Sequence, residues 1–169
     1  MKSIIKGSVW LYGNNIDTDV IIPARHLSIM DPAELAKHCM EDIDKSFVTG
    51  VKKGDIIVAG SYFGCGSSRE HAPLAILGSG VAAVVAASFG RIFYHNALNV
   101  GLPILECPDL VGHVNKGNIL SIDTVNGEIR NETSGQAFQS IPFPPFLADL
   151  ISAGGLVEYA RKRLAEQQK

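Results

Sequence analysis

Nothing in this 169-residue chain is long and apolar enough to cross a membrane. Its longest apolar stretches, such as residues 81–87, fall far short of the ~20 residues that a helical span requires. Charge of one sign is missing too. The 15 basic and 17 acidic residues are well mixed and leave a net charge of −2, which argues against a nucleic-acid or polyanionic partner. Residues 1–7 hold no long apolar run or cleavage pattern, so a cytoplasmic location is expected. Cysteine is scarce. Cys39, Cys65 and Cys107 are odd in number and widely spaced, which argues against a disulfide framework. No C-x-x-C or His-x-His pairing suggests a metal site. Three thiols are enough in number for an iron–sulfur cluster. Yet Cys39 sits in a helical pattern and Cys107 follows an apolar strand, positions of small packing residues.

Several catalytic templates are lacking as well. There is no G-x-S-x-G nucleophile elbow and no G-x-x-x-x-G-K-[ST] phosphate loop. Gly64-Cys65-Gly66 lacks the third glycine of a dinucleotide fingerprint. What the chain does have is 46% hydrophobic residues, enough for one domain, residues 1–169, with a full core.

The organising stretch is Gly64-Cys65-Gly66-Ser67-Ser68-Arg69-Glu70-His71-Ala72-Pro73. Asp55-Ile56-Ile57-Val58-Ala59-Gly60 before it suits a buried strand, and Leu74-Ala75-Ile76-Leu77 after it continues a helical pattern. The segment is therefore a strand–loop–helix junction. Its glycines allow close backbone approach to a ligand. Ser67 and Ser68 are expected at the helix start, where free N–H groups favour an anion. Arg69 adds a planar fork for a carboxylate. The anion is a carboxylate or a phosphate, and spacing does not choose between them.

The remaining pattern alternates between strands and helices. Residues 3–12 and 81–87 suit strands, the second covered on both faces as in a parallel sheet. Asp17-Thr18-Asp19 precedes an apolar run. It suits a capping turn, or a carboxylate at Asp19 facing the same site as Ser67. Asp31-Pro32-Ala33-Glu34 opens a helix expected to run to about Ile43. Ser88 is expected to cap a helix over residues 89–99, where Arg91, Tyr94, His95 and Asn96 read as solvated or structural. Residues 115–140 suit a small β region with a hairpin at Asn126-Gly127, and two helices follow. The order is that of an α/β layered domain with mixed sheets.

Three segments resemble signatures of the aconitase-like hydro-lyases. They are the stretch from Gly64 to Pro73; Asp17-Thr18-Asp19 with Ile21-Ile22-Pro23-Ala24-Arg25; and residues 87–103, from Ala87-Ser88-Phe89-Gly90-Arg91 to Asn99-Val100-Gly101-Leu102-Pro103. The resemblance spans essentially the whole chain. It implies the three-layer β/β/α swivelling domain of aconitase type, with mixed sheets and flanking helices. By length the chain is similar to the free-standing small subunits of isopropylmalate dehydratases. In those enzymes a separate large subunit holds a [4Fe–4S] cluster, so no cofactor is expected on this chain. The implied partner is that large subunit, in a heterodimer or heterotetramer, and the implied substrate is a hydroxy-dicarboxylate. The implied reaction interconverts 2-isopropylmalate and 3-isopropylmalate through isopropylmaleate, in leucine biosynthesis.

The same resemblance makes Ser67 the base, with Ser68 and Arg69 on a substrate carboxylate and Asp19 orienting them. His71 is expected to hydrogen-bond the loop. The loop after Pro23-Ala24-Arg25 is His26-Leu27-Ser28-Ile29-Met30, with no arginine after Arg25 to serve as the added cation that a distal carboxylate would need. Leu27 and Ile29 suit an apolar substituent, so Arg25, Leu27 and Ile29 are assigned to substrate binding. A homoaconitase or a methylmalate or dimethylmalate dehydratase small subunit is the alternative within the family. A non-catalytic anion-binding regulatory module is the alternative outside it.

Overall fold

The computed structural model describes residues 4–168. Strand β1 (Ile4–Leu11) is followed by the short helix α1 (Thr18–Ile21), a 3-10 turn (Ala24–His26), α2 (Pro32–Ala36) and α3 (Lys45–Gly50). Then come β2 (Ile56–Ala59), α4 (His71–Gly78), β3 (Ala83–Ala86), α5 (Arg91–Val100) and β4 (Ile104–Glu106). Strands β5 (Ile119–Asp123), β6 (Glu128–Asn131) and β7 (Ala137–Gln139) follow, and helices α6 (Pro145–Ala153) and α7 (Leu156–Gln167) end the order. The strand expected over residues 3–12 is β1; residue 3 lies outside the described residues.

The seven strands form one mixed sheet in the order β4-β3-β2-β1-β5-β6-β7. Strand β1 is the seam. Its C-terminal part pairs with β2 in parallel, Val9 opposite Ile56, while Ile4 to Ser8 pair antiparallel with β5. Alternate side chains of the parallel strands point to opposite faces, as the period of two requires. Ile57, Ala59, Val84 and Ala86 face the helices. Ile56, Val58, Ala83 and Val85 face Leu120, Ile122 and Ile129 of the antiparallel strands. The antiparallel half thus folds over the parallel half, and helices cover the other side: the β/β/α layering. Both faces of β2 and β3 are covered, which is why their sequences are unbroken apolar runs.

Local chemistry sets most element ends. Asp31 accepts from the Ala33 amide at 2.9 Å and Pro32 opens α2. Gly101 and Gly154 close α5 and α6 at φ values of 81° and 90°, in the left-handed region.

Three expectations need correction. The helix from Asp31 ends at Ala36, and residues 37–43 are turns. Met40 adopts φ 61°, sends its amide to the Ile21 carbonyl at 2.8 Å and is fully buried, so tertiary burial bends the chain where local propensity would continue it. Ser88 does not cap α5, which starts two residues later than expected. The Ser88 hydroxyl accepts instead from the Tyr62 amide at 2.8 Å. Ser67 lies in a bend and Ser68 in the irregular chain before α4, whose first residue is His71 and whose cap position, Glu70, makes no side-chain capping bond.

Candidate active site

The parallel strands β1, β2 and β3 end at the same edge, where the segments 12–17, 60–70 and 87–90 leave the sheet. Open α/β sheets place ligand sites at that edge. The three segments are stitched by backbone. Residues 17 and 65 form a bridge, as do residues 63 and 89. The Gly64 amide donates to the Ile16 carbonyl at 2.7 Å, and the Thr18 amide donates to the Cys65 carbonyl at 2.8 Å. The Gly90 amide donates to the Phe63 carbonyl at 2.8 Å. Glycine is required where these strands of chain press together. A Cβ on Gly66, at φ 93°, would lie 2.7 Å from an Asp17 carboxylate oxygen, and one on Gly90 would lie 2.5 Å from the Gly64 carbonyl oxygen. Beneath them Phe63 packs edge-on against Phe93, with ring centroids 5.4 Å apart.

This crossing fixes the side chains. Asp17 caps α1, its carboxylate accepting from the Asp19 amide at 2.6 Å. The Thr18 hydroxyl donates to the Ser67 carbonyl at 2.9 Å and so pins the loop at its central residue. The Arg69 guanidinium is ion-paired with the Asp19 carboxylate. Both readings of Asp17-Thr18-Asp19 therefore coexist: Asp17 is the cap, and Asp19 points to the loop. Arg69 is only 17% exposed at its side chain while Asp19 is 51% exposed, so the pair has a sheltered cation and an open anion. Ser67 and Ser68 are exposed, and among the described residues their hydroxyls have no hydrogen-bond partner. The arrangement supplies a cation and two available hydroxyls within one loop, suited to an incoming carboxylate.

This chain is similar to known proteins along nearly its full length. Residues 30–109 match the model of the aconitase C-terminal domain. The 3-isopropylmalate dehydratase small subunit of Thermodesulfovibrio yellowstonii is 58% identical over 161 residues, covering 95% of this chain and 96% of that protein. The chain belongs to this aconitase-type small-subunit family. Another relative, the 2,3-dimethylmalate dehydratase small subunit of Eubacterium barkeri, is 60% identical over 154 residues, covering 91% of this chain and 94% of that one. A crystal structure of 3-isopropylmalate dehydratase from Methanocaldococcus jannaschii superposes with a TM-score of 0.93 at 44% identity, covering 98% of both chains.

The family's small-subunit fold leaves other assigned residues in different settings. Arg25 lies in the 3-10 turn and is not joined to the loop. Its Nη1 and Nη2 reach Asp42 at 3.1 and 2.7 Å, and its Nη2 reaches Glu41 at 2.5 Å. Those carboxylates hold the guanidinium firmly protonated. Burial pushes the Glu41 carboxyl up, but hydrogen bonds from His38, His26 and Arg25 outweigh it and lower the group to about 2. Leu27 and Ile29 are half-buried, and Ile29 packs against the helix-side core. His71 departs from expectation. Its Nε2 is buried and has no hydrogen-bond partner among the described residues, so it does not bond the loop. The Cys65 thiol is pushed up by partial burial and by the charge of Asp17, which disfavours a reactive thiolate.

The cysteines do not fit an iron–sulfur cluster. Cys39 lies in the core on the helix side of the sheet, and Cys107 lies in the core between the two β layers. A sheet separates them, so they cannot converge on one group.

Two contributors escaped sequence reasoning. Thr18 carries the hydroxyl that holds the loop, a role its place inside a capping motif concealed. Tyr62 enters the loop at φ 61° and is half exposed, and no sequence pattern marks a tyrosine for the left-handed region.

Proposed function

We propose that this chain is the small subunit of a hydro-lyase that interconverts 2-isopropylmalate and 3-isopropylmalate through isopropylmaleate, in leucine biosynthesis. It would work with a large subunit holding the [4Fe–4S] cluster, in the cytoplasm. The observation that carries this reading is the Asp19–Arg69 pair beside the hydroxyls of Ser67 and Ser68, which have no hydrogen-bond partner among the described residues.

Dehydration requires removal of a proton from a carbon next to a carboxylate, with the resulting charge held in place. In this reading the Arg69 guanidinium takes a substrate carboxylate and Ser68 donates to it. Asp19 keeps the guanidinium aimed while the carboxylate arrives. Ser67, as its alkoxide, takes the carbon-bound proton, and the substrate hydroxyl gains a proton from solvent and departs as water; rehydration reverses the order and puts the hydroxyl on the neighbouring carbon. A serine is a poor base in water. It serves only if a cation and N–H donors stabilise its alkoxide, and Arg69 with the glycine-bounded loop provides those groups. Leu27 and Ile29 meet the isopropyl group. Arg25 contributes by anchoring that loop through Asp42 and Glu41.

The test is reconstitution. The full chain is mixed with an iron–sulfur large subunit, and formation of the unsaturated acid is followed by ultraviolet absorbance. Activity only in the mixture supports the reading; anion binding with no dehydration in any mixture overturns it. The similarity to a 2,3-dimethylmalate dehydratase small subunit keeps that smaller apolar substrate as a second reading. Both substrates belong in the panel, with citramalate and homocitrate analogues.

A further inference from the structure

We propose that His26, His38 and Glu41 form a binding site for a divalent transition-metal ion of the zinc class. His26 Nε2 lies 2.6 Å from Glu41 Oε1, and His38 Nδ1 lies 2.9 Å from Glu41 Oε2. One donor atom from each residue falls within 4.8 Å of the others. Two imidazole nitrogens and a carboxylate oxygen are a donor set that tetrahedral zinc accepts, with water in the fourth position. The two rings are stacked, their centroids 3.7 Å apart and their planes 14° from parallel, so their nitrogens sit side by side against one carboxylate. One shared divalent ion serves both rings while they stay neutral, and the carboxylate supplies part of the balancing charge.

The surroundings allow that exchange. With the ion bound through His26 Nε2 and His38 Nδ1, each ring carries its single proton on its other nitrogen, Nδ1 in His26 and Nε2 in His38, and Glu41 turns from hydrogen-bond acceptor to ligand. Arg25 does not need Glu41, because Asp42 holds it through both Nη atoms. Lys37 is paired with Glu34 at 2.7 Å. An open groove of about 380 Å³, lined by Arg25, Lys37, Glu41, Asp42, Lys45 and Val48, connects the carboxylate to solvent. Cys39 is fully buried in the core and is not a ligand. The ion would join the 3-10 turn, which leads into Leu27 and Ile29, to the turns after α2.

The experiment uses the full chain, stripped with a chelator and then dialysed against Zn2+ or Co2+. The expected result is one ion per chain, with visible cobalt absorption of tetrahedral type and a melting temperature raised by zinc. His26→Ala and Glu41→Gln each lower the affinity at least about tenfold. Cys65→Ser leaves it unchanged, and zinc no longer stabilises His26→Ala. His26 lies in a surface turn and Gln keeps the shape of Glu41, so both variants should fold; circular dichroism checks this. Failure to retain the ion at micromolar zinc overturns the proposal. So does retention by His26→Ala with loss in Cys65→Ser. Neither readout involves substrate or a large subunit, so this result and the reconstitution test fail independently.

Discussion

Two arginines near this edge of the molecule meet carboxylates in opposite ways. Among the described residues Arg69 has one partner, Asp19, whose carboxylate is half in water. Arg25 is held by two carboxylates, and one of these is itself held by two histidines. Arg69 can therefore accept a second carboxylate by adjusting a single exposed contact. Arg25 would have to abandon a network. A group that must receive a substrate keeps hydrogen-bonding capacity in reserve, whereas a group that fixes a loop has none left. The same contrast separates Ser67, whose hydroxyl has no partner among the described residues, from Thr18, whose hydroxyl is committed to the Ser67 carbonyl.

That contrast can be broken experimentally, beginning with the largest effect. In the reconstituted enzyme, Ser67→Ala should lower kcat by about 10³-fold, the scale of a lost general base, while the subunits still assemble. Full activity in that variant would remove Ser67 from the chemistry. Arg69→Lys keeps the charge but loses the planar fork, and kcat/KM should fall by roughly 10- to 100-fold, mostly through KM. The matching change at Arg25 should move kcat/KM by less than about threefold; a loss as large as that at Arg69 would return Arg25 to the substrate. Ile29→Arg should lower kcat/KM for isopropylmalate by about tenfold, as expected where a charge enters an apolar pocket. Unchanged kinetics would remove Ile29 from that pocket.

The smallest effect concerns acid stability. The Glu41 carboxyl is lowered from 4.5 to about 2 in the folded chain. A depressed carboxylate stabilises the fold above its unfolded value, and the contribution fades as pH falls through the folded one. Thermal melts should then show the parent chain ahead of Glu41→Gln above pH 4.5, with the gap closing toward about pH 2. A gap that stays constant over that window would mean that the carboxylate charge is not what the histidines and Arg25 hold.

Much of this was legible in the residues. The unbroken apolar runs of β2 and β3 announced strands covered on both sides, and Asn126-Gly127 announced a hairpin, because period and turn chemistry are local properties. The loop between β2 and α4 was legible for the same reason, since glycines, hydroxyls and an arginine in one short run have few structural uses. Met40 was not. Its left-handed backbone is dictated by burial against Ile21, and nothing around residues 37–43 signals a break in the helix. The grouping of His26, His38 and Glu41 was hidden as well. It depends on where those turns place residues that the sequence keeps apart, and spacing rules only see pairs on one element. Ser88 looked like a helix cap because serine usually is one, yet a neighbouring segment claims its hydroxyl.

The contact between Gly66 and Asp17, and that between Gly90 and Gly64, have a practical corollary for protein engineers. A loop whose backbone is wedged between two distant stretches cannot be transplanted as an independent cassette. Grafting residues 64–69 into another scaffold would require co-transfer of the matching pieces around 17 and 90. Directed evolution confined to the loop should stall at its glycines and advance only when all three pieces vary together.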